Sequence, residues 1–234
     1  MDWWLEEKRL WDEGYVCISG IDEAGRGALA GPVVAACVVL PRSIAPDGIN
    51  DSKQLSPQQR ESLYAAILKT ARGVGVGVVD VETIEAINIL RATHVAMRRA
   101  LENLPAGLLP DIALIDGLPV KEFPLAQLAL VKGDQRCVSI AAASIVAKVS
   151  RDRLMVELDA LYPGYGFALH KGYGVPQHLR ALKERGVLPI HRRTFRPVME
   201  ADGGVMQMEG GEEKGSHVAP KTRRGWRISR PKLP

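Results

Sequence analysis

Two strand-like segments joined by a glycine-rich turn constrain the fold of this chain more than any other feature. Residues 16–18 begin one apolar run, and residues 33–40 form a second run after Gly31-Pro32. Apolar runs on either side of a short turn predict a β-hairpin. Asp22 and Glu23 stand where the first strand should end, directly before the turn Gly25-Arg26-Gly27. Carboxylates beside an arginine-bearing turn indicate a metal site that faces a phosphate.

The acidic pair presents a geometric difficulty, because successive side chains on a regular strand point to opposite faces. Asp22 and Glu23 can share a site only if the strand ends or bulges there, which Gly25 and Gly27 would permit. The alternative interpretation is two solvated acids at a turn, which is the commoner case for such a pair. This stretch alone therefore does not decide between a site and an ordinary surface turn.

Two further acids follow strand-like segments later in the chain. Asp116 ends a predicted strand at residues 111–116, and Asp134 follows a predicted strand at residues 125–131. Sites in open α/β sheets form at the carboxyl ends of strands, so both acids are candidates. Asp134 also has a structural alternative, since an acid before the predicted helix 139–162 would favour the helix dipole or cap the helix.

The rest of the pattern alternates helices with strands. The segment Gly73–Val79 alternates strictly and does not open a helix, so it predicts a buried strand and not a nucleotide-binding loop. Ser56 and Pro57 are typical of a helix start. Helices are predicted at residues 2–14, 57–72, 81–86, 88–104, 139–162 and 176–185. A hairpin followed by alternating helices and strands predicts an α/β fold.

Charge is distributed unevenly along the chain. Residues 219–234 carry six basic residues and no acid, which leaves −2 for residues 1–218 of the overall +4. Local patches and bound metal, not a global field, would therefore bind a nucleic acid. The glycine-rich range 199–234 is expected to be a disordered, solubilising tail. The alternative is a nucleic-acid tether in which Trp226 stacks on a base.

Composition excludes several classes of protein. Three cysteines without a CxxC pair argue against a disulfide framework and predict buried free thiols in a reducing cytoplasm. The longest apolar run, residues 28–40, is shorter than the roughly 20 residues that a membrane span needs. We therefore expect a cytoplasmic protein without a membrane span, and a monomer.

The stretch GIDEAGRGALAGPVV resembles the opening signature of the bacterial ribonuclease HII family, the type 2 ribonucleases H. Four later segments match that family in the same order. They are Asp51-Ser52-Lys53-Gln54-Leu55-Ser56, Ile115-Asp116-Gly117, Lys132-Gly133-Asp134 leading into residues 141–152, and His170-Lys171-Gly172-Tyr173. The resemblance covers about residues 18–198. Most members have threonine where Val175 stands, so a possible helix-capping hydroxyl is missing here.

The resemblance implies a ribonuclease H-like α/β fold, a mixed β-sheet flanked by helices on both faces. Together with the helix pattern near the start and the composition of the tail, it divides the chain into an N-terminal helix at 1–14, a catalytic domain at 15–198 and the tail at 199–234. It also implies an endonuclease that hydrolyses the RNA strand of RNA–DNA hybrids. The same family incises on the 5′ side of single ribonucleotides in duplex DNA, leaving a 3′-hydroxyl and a 5′-phosphate.

The resemblance assigns Asp22, Glu23, Asp116 and Asp134 to catalysis and to two Mg²⁺ or Mn²⁺ ions. The chemistry agrees, because packed carboxylates raise each other's pKa unless a cation lies among them, and oxygen ligands favour these metals over zinc. The resemblance further implies that Gly25-Arg26-Gly27 contacts the ribose 2′-hydroxyl and that Tyr173 packs on the following sugar.

Lys53 is expected to contact a phosphate, and its alternative is a solvated loop lysine.

Three other functions remain open for the whole chain. Another nuclease or integrase of this fold would share the carboxylates but lack the glycine–arginine–glycine turn and the segment that carries Tyr173. An RNA-binding module would need stacking aromatics, which are only 5% of the residues. A phosphate-binding metabolic enzyme is the third.

Overall fold

The computed structural model describes residues 2–49, 52 and 54–203. In these residues the strands are β1 Ile18–Ala24, β2 Val33–Val39, β3 Gly73–Val79, β4 Ile112–Asp116 and β5 Ala126–Leu130. The helices are α1 Leu5–Asp12, α2 Pro57–Thr70, α3 Val81–Ile87, α4 Ile89–Glu102, α5 Val138–Leu161, α6 Phe167–His170, α7 Pro176–Arg185 and α8 Arg196–Ala201. A single 3₁₀ turn, Gly133–Gln135, joins β5 to α5.

The five strands form one mixed sheet in the order β3-β2-β1-β4-β5. The predicted hairpin is present, with β1 antiparallel to β2 and β2 antiparallel to β3. Both β4 and β5 run parallel to β1. Because parallel strands end at the same edge of a sheet, the carboxyl ends of β1, β4 and β5 meet at one edge.

Helices cover both faces of the sheet, which confirms the predicted α/β class. On one face α4 packs against alternate residues of β2, and on the other α2 and α5 pack against the residues between them. Small residues let the helices approach closely: a Cβ at Gly75 would lie 2.0 Å from the Ala100 carbonyl oxygen, and one at Gly20 would lie 2.1 Å from Ser139. The prediction of a buried glycine-rich strand is therefore confirmed.

The helix starts follow the sequence signals. Ser56 and Gln59 form a capping box before α2, in which each side chain accepts the other residue's backbone N–H. The first residue of α7 follows Val175, which makes no side-chain cap, as the missing threonine predicts. Residues 163–174 contain the short helix α6.

Cys17, Cys37 and Cys137 are free and buried, as predicted. Helix α8 runs to Ala201, so its last turn lies within the range 199–234. Lys53 and residues 204–234, including Trp226, lie outside the described residues. Among the helices that the structure does describe, none is both long and apolar enough to cross a membrane.

Candidate active site

Asp22 and Asp116 lie side by side at the carboxyl ends of two parallel strands. The pairing of β1 with β4 sets Ile21 opposite Ile115, so these two acids come next on each strand and share one sheet face. Asp22 is only 5% exposed and takes a hydrogen bond from the Ser144 hydroxyl of α5. This edge of the sheet therefore holds two neighbouring carboxylates beneath α5.

Glu23 joins this pair without a bulge in the strand. The sequence allowed either a strand end or a bulge here, and the register of β1 with β2 is unbroken through Ala24. Pairing of β1 with β4 stops at Ile21, which leaves the end of β1 without a strand on that side. The Glu23 backbone N–H donates to Asp22 Oδ1 at 2.6 Å, and the Glu23 carboxylate accepts from Arg26 at 3.1 Å. Glu23 therefore has a cationic partner within the turn, Arg26.

The electrostatics of Asp22 show that three of the four predicted acids interact. Burial raises the pKa of the Asp22 carboxyl well above its ordinary value, and the negative charges of Glu23 and Asp116 raise it further. The Ser144 hydroxyl and the Glu23 N–H oppose this rise, because they stabilise the ionised form. Ionised Asp22 is therefore disfavoured unless a positive charge is brought to it.

Asp134 lies at the same edge, in the 3₁₀ turn after β5, and is 2% exposed. Its neighbour Gly133 donates a backbone N–H to Asp116 Oδ1 at 2.7 Å. Helix α5 has Cys137 at its N-cap, three residues after Asp134.

The donor atoms suit a hard divalent cation, because all four side chains are carboxylates, and Asp22 and Asp134 are buried. In the part of the chain that the structure describes, no three histidine, cysteine, aspartate or glutamate side chains are already arranged around one ion position. Glu23 and Asp116 have other partners, Arg26 and the Gly133 N–H. Binding of an ion would therefore require these carboxylates to reorient toward Asp22.

The two glycines of the turn differ in what the fold demands of them. Gly25 has φ +93°, and a Cβ there would lie 1.9 Å from Arg151 Nε. Gly27 has ordinary φ, and a Cβ there would meet nothing within 4 Å. The fold explains glycine at the first position only. The absence of a side chain at Gly27 leaves the backbone open to a ligand.

Two fully buried arginines hold the turn from beneath, and sequence reasoning missed both. Arg151 donates to the carbonyl oxygens of Ala30, Pro32 and Lys171 at 2.9–3.1 Å. Arg192 donates to the Gly31 and Arg26 carbonyl oxygens at 2.8–3.1 Å. Burial lowers the pKa of both groups, that of Arg192 to about 9 with a contribution from the Arg151 charge.

The sequence does carry a signal for Arg151. Arg151 lies on the inward-facing side of α5, two helical turns after Ser144 and one turn before Met155, and all three residues are buried. An arginine on this side of a helix must find hydrogen-bond acceptors, since burying its charge alone is costly. No comparable pattern surrounds Arg192, which lies outside any helix or strand.

Tyr173 lies close to the turn through the same arginine. Its ring centroid is 5.4 Å from Arg151 Cζ, and 36% of the residue is exposed. Lys53 lies outside the described residues, but its neighbour Ser52 is buried and hydrogen-bonds Ser144 at 2.9 Å. The structure thus places the four predicted acids at one edge of the sheet. It places the turn and Tyr173 on either side of Arg151, which contacts both.

Comparison with known proteins agrees with this geometry. The family model for ribonuclease HII matches residues 19–198. The ribonuclease HII of Geobacter sulfurreducens is 54% identical over 197 residues, which cover 84% of this chain and 90% of that protein. The ribonuclease HII of Dehalococcoides mccartyi is 51% identical over 198 residues, covering 83% and 93%.

Solved structures show the same fold. The ribonuclease H2 from Pyrococcus horikoshii OT3 matches with a TM-score of 0.67 at 27% identity, covering 80% of this chain and 98% of that one. The Mn²⁺ complex of Bst-RNase HIII matches with a TM-score of 0.62 at 24% identity, covering 80% and 70%. These matches confirm the ribonuclease H-like fold.

A family model matches most of this chain, and its relatives share more than half of their aligned residues with it. The chain therefore belongs to the ribonuclease HII family, endonucleases that cleave RNA in RNA–DNA hybrids and at single embedded ribonucleotides.

Proposed function

We propose that this chain hydrolyses the phosphodiester bond on the 5′ side of a ribonucleotide, in RNA–DNA hybrids and in duplex DNA that contains one ribonucleotide. Asp22, Glu23, Asp116 and Asp134 are the catalytic acids and the metal ligands. The observation that carries the proposal is the burial of Asp22 between two other carboxylates at adjoining strand ends, which opposes its ionisation. A bound cation would offset the cost of ionising this buried carboxyl group, which is why such a group is typical of a metal site.

Two divalent ions, Mg²⁺ or Mn²⁺, would supply Lewis-acid stabilisation to the attacking and leaving oxygens of the displacement. The chain contributes the orientation of their ligands. The Ser144 hydroxyl and the Glu23 N–H fix Asp22, and the Gly133 N–H fixes Asp116. Cleavage of the P–O3′ bond leaves a 3′-hydroxyl on the upstream strand and a 5′-phosphate on the ribonucleotide.

Substrate selection is assigned to the turn and to Tyr173. The open backbone at Gly27 supports close approach of a ribose, whose 2′-hydroxyl distinguishes RNA from DNA. Arg26, the exposed central residue of the turn, pairs with Glu23, so its side chain links the turn to the acids. Tyr173 would pack on the next sugar, and Lys53 would contact a phosphate. Arg151 and Arg192 hold the turn in place and touch no substrate in this proposal.

The test uses end-labelled duplexes that differ only at one 2′-hydroxyl, incubated with Mg²⁺ or Mn²⁺. We expect a cut on the 5′ side of the ribonucleotide and no cut in the all-DNA duplex, with discrimination of about 10⁴-fold because unpaired polar groups penalise the missing hydroxyl. Equal cutting of both duplexes would leave a general nuclease of this fold. Binding without any cutting would leave a nucleic-acid-binding module.

A further inference from the structure

Three histidines lie together beneath the loop that carries Tyr173, and the proposed chemistry uses none of them. His178 and His191 have no exposed surface, and the rings of His170 and His178 stack with centroids 4.7 Å apart. The Phe167 ring contacts all three imidazoles. In such a setting each imidazole must use its ring nitrogens in hydrogen bonds, because an unpaired buried nitrogen is costly.

The hydrogen bonds determine where the protons of two of these rings lie. The Leu188 N–H donates to His191 Nδ1 at 2.8 Å, so neutral His191 carries its proton on Nε2. His191 Nε2 is 3.0 Å from His178 Nε2 and must be the donor of that pair. His178 then carries its proton on Nδ1, which lies 3.0 Å from the Tyr173 carbonyl oxygen and donates to it. We call this directed series from Leu188 to Tyr173 the histidine relay.

His170 holds the same loop from its other side. The Gly172 N–H donates to His170 Nδ1 at 3.2 Å, so His170 carries its proton on Nε2 and donates to the Tyr165 carbonyl oxygen at 2.8 Å. The backbone on either side of the Gly172–Tyr173 peptide bond is thus held by neutral imidazoles stacked on each other. This arrangement limits how far Tyr173 can move.

The loop backbone depends on such support. Lys171 and Gly172 both have positive φ, +53° and +79°, a backbone conformation that residues other than glycine rarely adopt. A Cβ at Gly172 would lie 2.7 Å from the Ala30 carbonyl oxygen, so the loop also packs tightly on the segment after the turn. Tyr173 therefore presents a partly exposed ring from a backbone that is fixed on its buried side.

We propose that His178 and His191 are positioning residues for Tyr173. By fixing the Tyr173 carbonyl, the histidine relay sets the ring against the sugar that follows the ribonucleotide, and so contributes to the choice of single-ribonucleotide junctions over long hybrids. This inference rests on the proposed function, in which Tyr173 contacts that sugar. The two histidines act through Tyr173 and do not meet the reacting atoms.

The first experiment compares His178→Leu with His178→Asn in the full chain. Leucine fills a similar space without an N–H, whereas the asparagine amide can place an N–H near the former Nδ1. The readout is kcat/KM on a single-ribonucleotide duplex divided by kcat/KM on a long RNA–DNA hybrid. We expect His178→Leu to lower this ratio about tenfold, as for one lost buried hydrogen bond. His178→Asn should retain it within about threefold.

A second variant covers the case in which His178→Leu does not fold. His191→Asn keeps an acceptor for the Leu188 N–H but removes the donor that faces His178 Nε2. A merely local role of His191 in its own turn would leave the ratio unchanged. The histidine relay requires the ratio to fall, and thermal melting above the assay temperature shows that the variant is folded.

A double-mutant cycle with Tyr173→Ala separates the possible failures. If the relay acts through Tyr173, His178→Leu should not lower the ratio further in the Tyr173→Ala chain. An unchanged ratio in Tyr173→Ala alone would instead overturn the role of Tyr173 in the proposed function. If Tyr173→Ala lowers the ratio but the folded histidine variants do not, or lower it equally without Tyr173, only the relay is refuted.

Discussion

Asp22 is the residue at which burial and like charge act together against ionisation of a carboxyl group. Its pKa is raised from the ordinary 3.8, so the folded protein without metal binds the Asp22 proton more tightly than the unfolded chain does. Folding stability therefore falls as the pH rises from about 3.8 toward the raised pKa. Bound cations would offset this loss of stability, because they favour the ionised form of Asp22.

We expect Asp22→Asn to abolish nearly all metal-dependent cleavage, by about 10³-fold or more, since metal ligation supplies several kcal/mol to the transition state. The same change should raise the melting temperature of the metal-free protein at pH 7, because a buried charge is removed. Asp80→Asn is the matched control, as Asp80 caps α3 and asparagine also caps. Near-normal turnover of Asp22→Asn with Mg²⁺ would remove Asp22 from the site.

The turn offers a second prediction, in which two neighbouring glycines separate folding from function. Gly25→Ala should destabilise the protein by about 2 kcal/mol or more, because alanine is strained at positive φ and would collide with Arg151. Gly27→Ala should change the unfolding free energy by less than about 0.5 kcal/mol. It should nonetheless lower kcat/KM on the single-ribonucleotide duplex about tenfold, by weakening one contact to the ribose.

Urea unfolding and steady-state cleavage of both variants test this contrast. If Gly27→Ala cleaves as well as the unchanged chain, the open backbone at that position has no part in recognition. If Gly25→Ala is as stable as the unchanged chain, the packing of the turn on Arg151 is not what requires glycine there.

At the scale of helices and strands, the sequence predicted most of what places the site. The periodicity of apolar residues located β1, β4 and β5, and the rule for strand ends then brought Asp22 and Asp116 to one edge. The sequence could not show that Glu23 approaches from an unbulged strand, because that depends on where β4 stops pairing with β1. Nor could it show Arg192, whose acceptors at Gly31 and Arg26 are about 160 residues away along the chain.

Outside α7, which the sequence predicted at residues 176–185, the segment from α6 to His191 was the least predictable part for the same reason. Its structure rests on side chains that meet across loops, such as His178 with His191, and not on a repeating pattern. Single histidines in a sequence give no periodic signal, so only the folded arrangement shows that they form a connected network.

The histidine network makes a prediction about pH. Burial, with smaller contributions from the charges of His178 and Arg193, lowers the pKa of His191 from 6.5 to about 3. The unfolded chain therefore binds this proton first, so the stability that neutral His191 contributes is present above about pH 6.5 and is lost as the pH falls toward 3. Between pH 6.5 and pH 5 the loss should be about 2 kcal/mol.

Urea unfolding across this pH range measures the loss, and His191→Gln is the comparison. The variant is expected to be less stable at pH 7 but to lose less stability on acidification, because glutamine does not titrate. Identical pH slopes for both proteins would show that His191 does not carry this dependence.

At the scale of the whole molecule, charge separates the folded body from the end of the chain. Residues 1–203, which include every described helix and strand, carry 24 basic and 24 acidic residues, and residues 204–234 add 7 basic and 3 acidic residues to reach +4. The acidic edge of the sheet makes the body a poor electrostatic attractant for DNA without bound metal. The basic end is the place where a long-range attraction can arise.

We expect deletion of residues 204–234 to leave the fold and kcat intact, because α8 ends at Ala201 and the described core clusters reach no further than that residue. Substrate binding should weaken modestly at low salt, since each phosphate that the tail neutralises releases condensed counterions. If the basic residues contact even two phosphates, the slope of log Kd against log salt falls by about 2. A full-length chain with the six basic residues of 219–234 changed to glutamine separates charge from length and should lose the same salt-dependent binding. Binding that is unchanged at every salt concentration would mean that the tail serves solubility alone, and a deletion that unfolds would place these residues in the core.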